Sequence, residues 1–440
     1  MQEYFFTLTD GLAERLGGDE VLLANYSGED SDFVRFNRSA VRQAGSVTQR
    51  HMDIELIDGR RHASATVTLS GSAEVDAPAL QAELETLRAN LPHLPEDPYL
   101  LYATEVNPTE QVGPDDLPPA ESAVSAVLDA GAGRDLVGIY AGGAIASGFA
   151  NSLGQRNWLS THSFHMDWCF YHQADKAVKT SYAGFAWDDE AFGAKVADAA
   201  QQLDILAGPA KTIAPGEYRV YLAPAAVEEV LGLLCWGGFG LKAHRTKNTS
   251  LLKMIEGDER MSDEVTLREN TREGLAPNFS AAGFIKPDAV TLVEAGRTKN
   301  CLVSPRSAKE YDVPTTGSSA GEFPSSLDMA PGTISRDDVL SRLDTGVYVN
   351  TLWYLNYSDR PAGRITGMTR FATFWVEGGR IAAPLNVMRF DETVYRILGA
   401  NLVGLTAERD FLPSSQTYGR RHTDSSRLPG ALIEDFRFTL

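Results

Sequence analysis

The sequence predicts an α+β fold in two domains: an N-terminal α+β domain with an antiparallel sheet (1–210) and a mainly antiparallel, β-rich C-terminal domain (216–440). Three observations carry this expectation. The chain has 440 residues, too many for one ordinary domain at ~100–200 residues each. Apolar residues alternate with polar ones in its first third, with Asp58-Gly59 as a turn between two such runs, the pattern of an antiparallel meander with one wet face. A run of breakers from Gly208-Pro209 to Pro215-Gly216 then separates two stretches that each hold both helical and strand patterns.

Taken in order, Leu12, Leu16 and Val21 to Leu23 suggest an amphipathic helix over residues 10–25. Strands are expected at 33–36, at 52–56 (Met52, Ile54, Leu56) and at 63–69 (Ala63, Ala65, Val67, Leu69). Leu80, Leu84 and Leu87 mark a helix that Pro92 closes. Residues 91–119 hold seven prolines and read as a linker-like segment within the first domain. A helix at 121–130, a β-rich stretch over 135–187 and a helix at 190–206 complete that domain. The second domain opens with a strand at 217–222 and a helix at 225–234. It continues through loops, notably 313–335, to strands at 347–355 and 365–376, a helix at 394–405 and a polar tail.

Charge narrows the function. Forty Lys and Arg against fifty-nine Asp and Glu leave a net charge of −19, which opposes nonspecific nucleic-acid binding and docking on an anionic membrane. The segment Met1-Gln2-Glu3-Tyr4-Phe5-Phe6 lacks a basic n-region and an apolar core, so no signal peptide is expected. The apolar run 230–241 is too short to span a bilayer. Three scattered cysteines, Cys169, Cys235 and Cys301, read as reduced thiols of a cytoplasmic protein.

Generic motifs identify no enzyme. The glycine-rich run from Gly142 to Gly148 lacks the Lys-Ser/Thr of a phosphate loop and reads as close backbone packing. Gly317-Ser318-Ser319-Ala320-Gly321 matches GxSxG but sits in a loop with Pro324 close behind, without the following helix that a nucleophile elbow needs. His162, His165 and His172 with Asp167 and Cys169 are the one cluster of candidate metal ligands. On a strand, 165, 167 and 169 share a face that 162 and 172 do not. Glu228-Glu229 are candidate acid/base carboxylates, with a solvated helix face as the plainer reading. His244, in the basic run 242–247, is expected to face solvent.

A resemblance carries more. The run Gly138-Ile-Tyr-Ala-Gly-Gly-Ala-Ile-Ala-Ser-Gly-Phe-Ala-Asn-Ser-Leu-Gly-Gln-Arg156 is followed by 164–171 and by Val178-Lys-Thr-Ser-Tyr-Ala-Gly-Phe185. Later come Cys301-Leu-Val-Ser-Pro-Arg-Ser-Ala308 with Thr316-Gly317, then Leu352-Trp-Tyr-Leu-Asn-Tyr-Ser358 and Arg364-Ile-Thr-Gly-Met-Thr-Arg-Phe371. In this order, over nearly the whole chain, they resemble the TldD/PmbA (TldE) family of peptidase-related proteins, also called modulators of DNA gyrase. The resemblance implies an N-terminal α+β domain of roughly two hundred residues and a mainly β C-terminal domain. Active members are zinc-dependent peptidases of unfolded peptides. Two histidines of an HExxxH helix and a later cysteine bind the metal, and the motif glutamate is the base.

This chain departs from that pattern. Placed on the helix after 217–222, the first histidine is Pro224, the base Ala225 and the second histidine Glu229, and no cysteine follows Cys301. Proline suits a first helical turn but offers no donor to a metal. These are vacant family metal-site positions, so no catalytic residue, no metal ligand and no cofactor is expected. The resemblance then implies a non-catalytic TldE/PmbA-like subunit whose partner is a TldD-type HExxxH metallopeptidase subunit and whose substrate is unfolded peptide. Two alternatives stay open: a metallopeptidase with a displaced metal site at His162, His165 and His172, or a stand-alone peptide-binding scaffold. Homodimer formation is open as well.

Overall fold

The structure is a computed structural model that describes residues 1–174 and 176–439. Strand outweighs helix, 42% to 24%, and the elements form two mostly antiparallel sheets, so the fold is α+β.

The chain opens with α1 (Gln2–Ala13), which buries Phe5, Leu8 and Leu12. The helix expected at 10–25 is corrected: α1 ends at Ala13, and Val21, Leu22 and Leu23 begin the long strand β1 (Val21–Asn37). Gly17-Gly18 lies between them, and Gly18 adopts φ +60°, a conformation that ends a helix and that glycine accepts readily. β2 (Ala40–Asp58) and β3 (Arg61–Thr68) follow as a meander. α2 (Ala73–Asn90) packs Leu80, Leu84 and Leu87 beneath it. Most of 91–119 runs without regular structure, but β4 (Thr109–Val112) within it returns to the sheet.

After α3 (Ala120–Gly131), β5 (Asp135–Asn151), β6 (Arg156–Gln173) and β7 (Lys176–Gly184) complete a seven-stranded sheet in the order β3-β2-β1-β5-β6-β4, with β7 on β6. β5 is central. A Cβ at Gly143 (φ +142°) would overlap the Asp30 carbonyl of β1, and one at Gly148 would meet the Phe5 ring. The glycine run therefore serves close packing, as its composition suggested. α4 (Asp189–Leu206) is capped by Asp188, whose carboxylate accepts from the Ala191 N–H at 2.9 Å.

The second sheet begins with β8 (Gly216–Leu222), followed by α5 (Pro224–Cys235). Its later strands are β9 (Leu267–Glu269), β10 (Val290–Glu294), β11 (Arg297–Thr298), β12 (Ser326–Met329), β13 (Gly346–Asp359), β14 (Arg364–Glu377), β15 (Arg380–Pro384), β16 (Arg389–Thr393), β17 (Leu402–Pro413) and β18 (Ser425–Phe438). The path is β11-β10-β9-β12-β18-β16-β14-β13-β8, and β18 also pairs with β8, so five of the strands close on themselves.

Two sequence expectations fail here. The helix expected at 394–405 is cut short: residues 394–400 make a short helical stretch, π-type over Arg396–Ala400, and β17 takes over from Leu402. The tail is not merely polar. β18 buries Leu428, Ala431, Leu432, Ile433, Phe436 and Phe438 and joins β12, β16, β17 and β8. Ala372 and Phe374 of β14 share one apolar cluster with Tyr140, Phe164, Met166 and Trp168 of the first sheet, which ties the two halves together.

Candidate functional site

A cavity of about 620 Å³ opens where the first sheet meets α5, a size that suits a small ligand or a peptide side chain. Strand alternation builds one wall. Phe164, Met166, Trp168 and Phe170 of β6 face the shared core, so His165 and Asp167 face the other way, toward the cavity. The β6–β7 register sets Ser181 opposite Asp167 and Lys179 opposite Cys169. Lys179 Nζ thereby lies 3.8 Å from the Asp167 carboxylate.

Helical periodicity builds the second wall. α5 turns Ala226, Val227, Val230, Leu231 and Leu234 into the core of the second sheet. Burying each of the larger four stabilises the fold by ~1.5–3 kcal/mol. Ala225, Glu228 and Glu229 are left on the cavity side, with Pro224 at the first turn. β8 contributes Tyr221, β13 contributes Tyr348, and Arg336 pairs with Asp410 of β17 at 2.5 Å.

Burial governs the electrostatics. Glu228 is half-buried, and burial with Glu229 beside it pushes its carboxyl up to about 7. Burial also raises Glu229, which Lys179 partly offsets, and raises Asp167 against the opposing pull of Lys179. His165 is 4% exposed, and burial followed by the nearby Arg421 charge lowers it to about 4, which keeps the ring neutral. Its Nε2 is buried and finds no hydrogen-bond partner.

Arg421 itself reaches across from the loop before β18. Its guanidinium donates to the Ser163 carbonyl and hydroxyl, both at 2.7 Å, and to the Gly143 carbonyl at 3.1 Å. Its backbone N–H donates to the buried Glu29. Burial lowers the guanidinium to about 10.

The sequence-derived candidates divide cleanly. Pro224, Ala225 and Glu229 line the cavity. The three histidines do not converge: His165 faces the cavity, His162 lies on the opposite face 3.7 Å from Asp115, and His172 is exposed near the end of β6. Among the described residues no three His, Cys, Asp or Glu side chains are placed to hold a metal ion. Proline and alanine at 224 and 225 supply no donor atom, so the side chains present do not fit a zinc site built on this helix.

Glu228 is half-buried in a cavity wall, a correction to the solvated helix face, whereas Glu229 lines the same cavity but is exposed, as that reading expected. His244 is corrected too: it is half-buried, with Nε2 2.6 Å from the Gly238 carbonyl oxygen. Ser319 is exposed in a loop with no helix after it, so no nucleophile elbow forms. Lys179 and Arg421 were missed. The alternation of Val178 with Lys179 offered a weak signal for the first; Arg421, in an irregular polar loop, offered none.

Residues 215–440 match the family model described as the PmbA/TldA metallopeptidase C-terminal domain. No curated protein matches the chain in sequence. Among solved structures, TldE from Thermococcus kodakarensis superposes with a TM-score of 0.78 at 16% identity, covering 99% of this chain and 100% of that one. A candidate modulator of a DNA gyrase from Thermotoga maritima gives 0.74 at 15% identity, covering 99% of each chain. Another from Bacteroides thetaiotaomicron gives 0.74 at 15%, covering 99% of this chain and 98% of that one. At such identities these likenesses establish the fold alone.

Proposed function

Because the chain belongs to the PmbA/TldD metallopeptidase family, we propose that it is the family's non-catalytic, TldE/PmbA-type subunit. On this reading it assembles with a TldD-type chain that carries HExxxH and zinc, and the pair degrades or processes unfolded peptides in the cytoplasm. No helix of the described residues is long and apolar enough to cross a membrane.

The observation that carries the proposal is the wall of the α5 cavity. Pro224, Ala225 and Glu229 line it, and by the family resemblance they are the residues that stand where the first histidine, the base and the second histidine would be. One carboxylate cannot hold zinc, which takes three protein ligands and a water at a catalytic site. The fold likeness to TldE at full chain coverage supports the same assignment. The displaced-site alternative loses its footing because His162 and His172 lie away from His165.

The test combines bound metal with activity. Freshly purified, untagged chain is expected to carry almost no zinc and to leave an unfolded peptide intact. Cleavage is expected when a TldD-type HExxxH chain is added. Chelator-sensitive cleavage by this chain alone, with stoichiometric zinc, would overturn the proposal.

A further inference from the structure

The α5 cavity lacks the donors of a zinc site but is not inert. Of the cations on its walls, Arg336 is held by Asp410 at 2.5 Å and Lys179 by Asp167 at 3.8 Å. Lys195 lies one turn from Asp198 on α4. Glu228 and Glu229 remain, side by side, with no ion-pair partner among the described residues. The wall therefore carries two carboxylates in excess of its own cations.

A second, independent feature points to a ligand. His165 is 4% exposed, its ring lies on the same cavity wall, and its Nε2 has no hydrogen-bond partner. Leaving a buried polar nitrogen unpaired costs ~1–3 kcal/mol, and such a group in a cavity wall is satisfied when a polar ligand enters. A primary ammonium has three N–H donors and no acceptor. It suits a cavity that offers carboxylates without ion-pair partners and a neutral ring nitrogen.

We propose that this cavity is a specificity subsite for a primary ammonium group, of a lysine side chain or a peptide N terminus, held by Glu228 and Glu229 with His165 Nε2 open to a polar atom of the same ligand. The inference rests on the reading of the chain as a peptide-handling subunit and names what that subunit selects. The non-catalytic chain would then contribute recognition where it contributes no chemistry.

The test is calorimetric titration of the full chain with blocked heptapeptides of glycine, serine and alanine. One carries a central lysine, one Nε-acetyl-lysine in its place, and one has no lysine but a free N terminus. The lysine peptide, the free-N-terminus peptide or both should bind about tenfold or more tighter than the acetyl-lysine peptide. Which of the two does so identifies the source of the ammonium. The preference should disappear in the double variant Glu228→Gln/Glu229→Gln and persist in Glu14→Gln, an exposed carboxylate just after α1 that does not line the cavity. Equal affinity for all three peptides overturns the subsite. So does a preference that survives the double variant, or no binding of any probe at millimolar concentration. These readouts need no partner and no catalysis. Loss of the cation preference leaves the non-catalytic-subunit reading standing, whereas zinc-dependent cleavage by the chain alone removes that reading whatever the titrations give.

Discussion

Glu228→Gln should stabilise the protein at pH 8 and leave it unchanged at pH 4.5. Burial and the neighbouring Glu229 move the Glu228 carboxyl from its ordinary 4.5 to about 7. Between those values the native state retains a proton that the unfolded chain has released. Stability therefore falls as pH rises through this window, and the loss is complete above pH 7. At about 1.36 kcal/mol per pH unit the full displacement amounts to about 3 kcal/mol. Half-burial and solvent screening argue for a realised gain nearer ~1–2 kcal/mol. Glutamine keeps the volume and can still accept the hydrogen bond from Ser426 that the carboxylate receives, so packing should be conserved. Urea unfolding followed by circular dichroism at both pH values gives the double difference between variant and parent, with Glu14→Gln as the control. A gain of equal size at both pH values would show that packing, not charge burial, is responsible. A net loss at pH 8 would show that the carboxylate is stabilised by contacts stronger than its desolvation.

Arg421→Met should cost about 3–5 kcal/mol in the same assay, because it strips a buried guanidinium from the Ser163 and Gly143 carbonyls beside buried Glu29; a loss below about 1 kcal/mol would contradict the stabilising role of these bonds. Gly143→Ala combines a φ of +142° with overlap of the Asp30 carbonyl, and should cost more than about 3 kcal/mol or prevent soluble expression; parental stability would refute the packing argument. Burial pushes Cys169 up to about 11 and Cys235 up to about 12, so a disulfide reagent at pH 7.5 should modify both slowly in native protein and rapidly in urea. Fast native labelling of either would show that its surroundings open readily and that the burial argument fails.

How much of this was readable in the sequence follows from the range of the forces involved. Period-two alternation in Met52, Ile54 and Leu56 is local, and the meander appears where it was expected. The helix at α5 was equally plain, since Pro224 starts it and Val227, Val230, Leu231 and Leu234 lie at helical spacing. β18 was missed although β17 pairs with it locally, because its position inside the sheet is set by β8 and β12, which lie about a hundred residues or more upstream. Its apolar residues are interrupted by Pro429 and Gly430, and Gly430 is required because a Cβ would overlap the Tyr221 hydroxyl. The misread helix at 394–405 has the same origin: Ile397, Leu398 and Leu405 suit a helix locally, but the edge of β18 claims residues 402–413 as a strand. At the cavity, strand alternation correctly grouped His165 with Asp167 and separated both from His162. It could not show that the grouped face meets α5, because that meeting depends on Ala372 and Phe374 docking on the first sheet.

The division of labour within α5 explains how a metal motif can be absent without loss of the fold. The face that packs the core uses Val227, Val230, Leu231 and Leu234, and none of them occupies a position of the HExxxH pattern. On the proposed placement of the motif, substitution at 224, 225 and 229 therefore leaves the contacts of these four residues untouched, and proline at 224 even favours the first turn. What those substitutions change is the charge on the cavity wall. A zinc ion would bring two positive charges to this wall; without it, Lys179 of the opposite sheet is the cation nearest to Asp167 and acts on Glu228 and Glu229 as well. One ammonium does not balance three carboxylates, and Glu228 answers by holding its proton up to about pH 7. A cation arriving on a peptide would relieve the same imbalance, so the features that argue against metal chemistry here are those that argue for recognition.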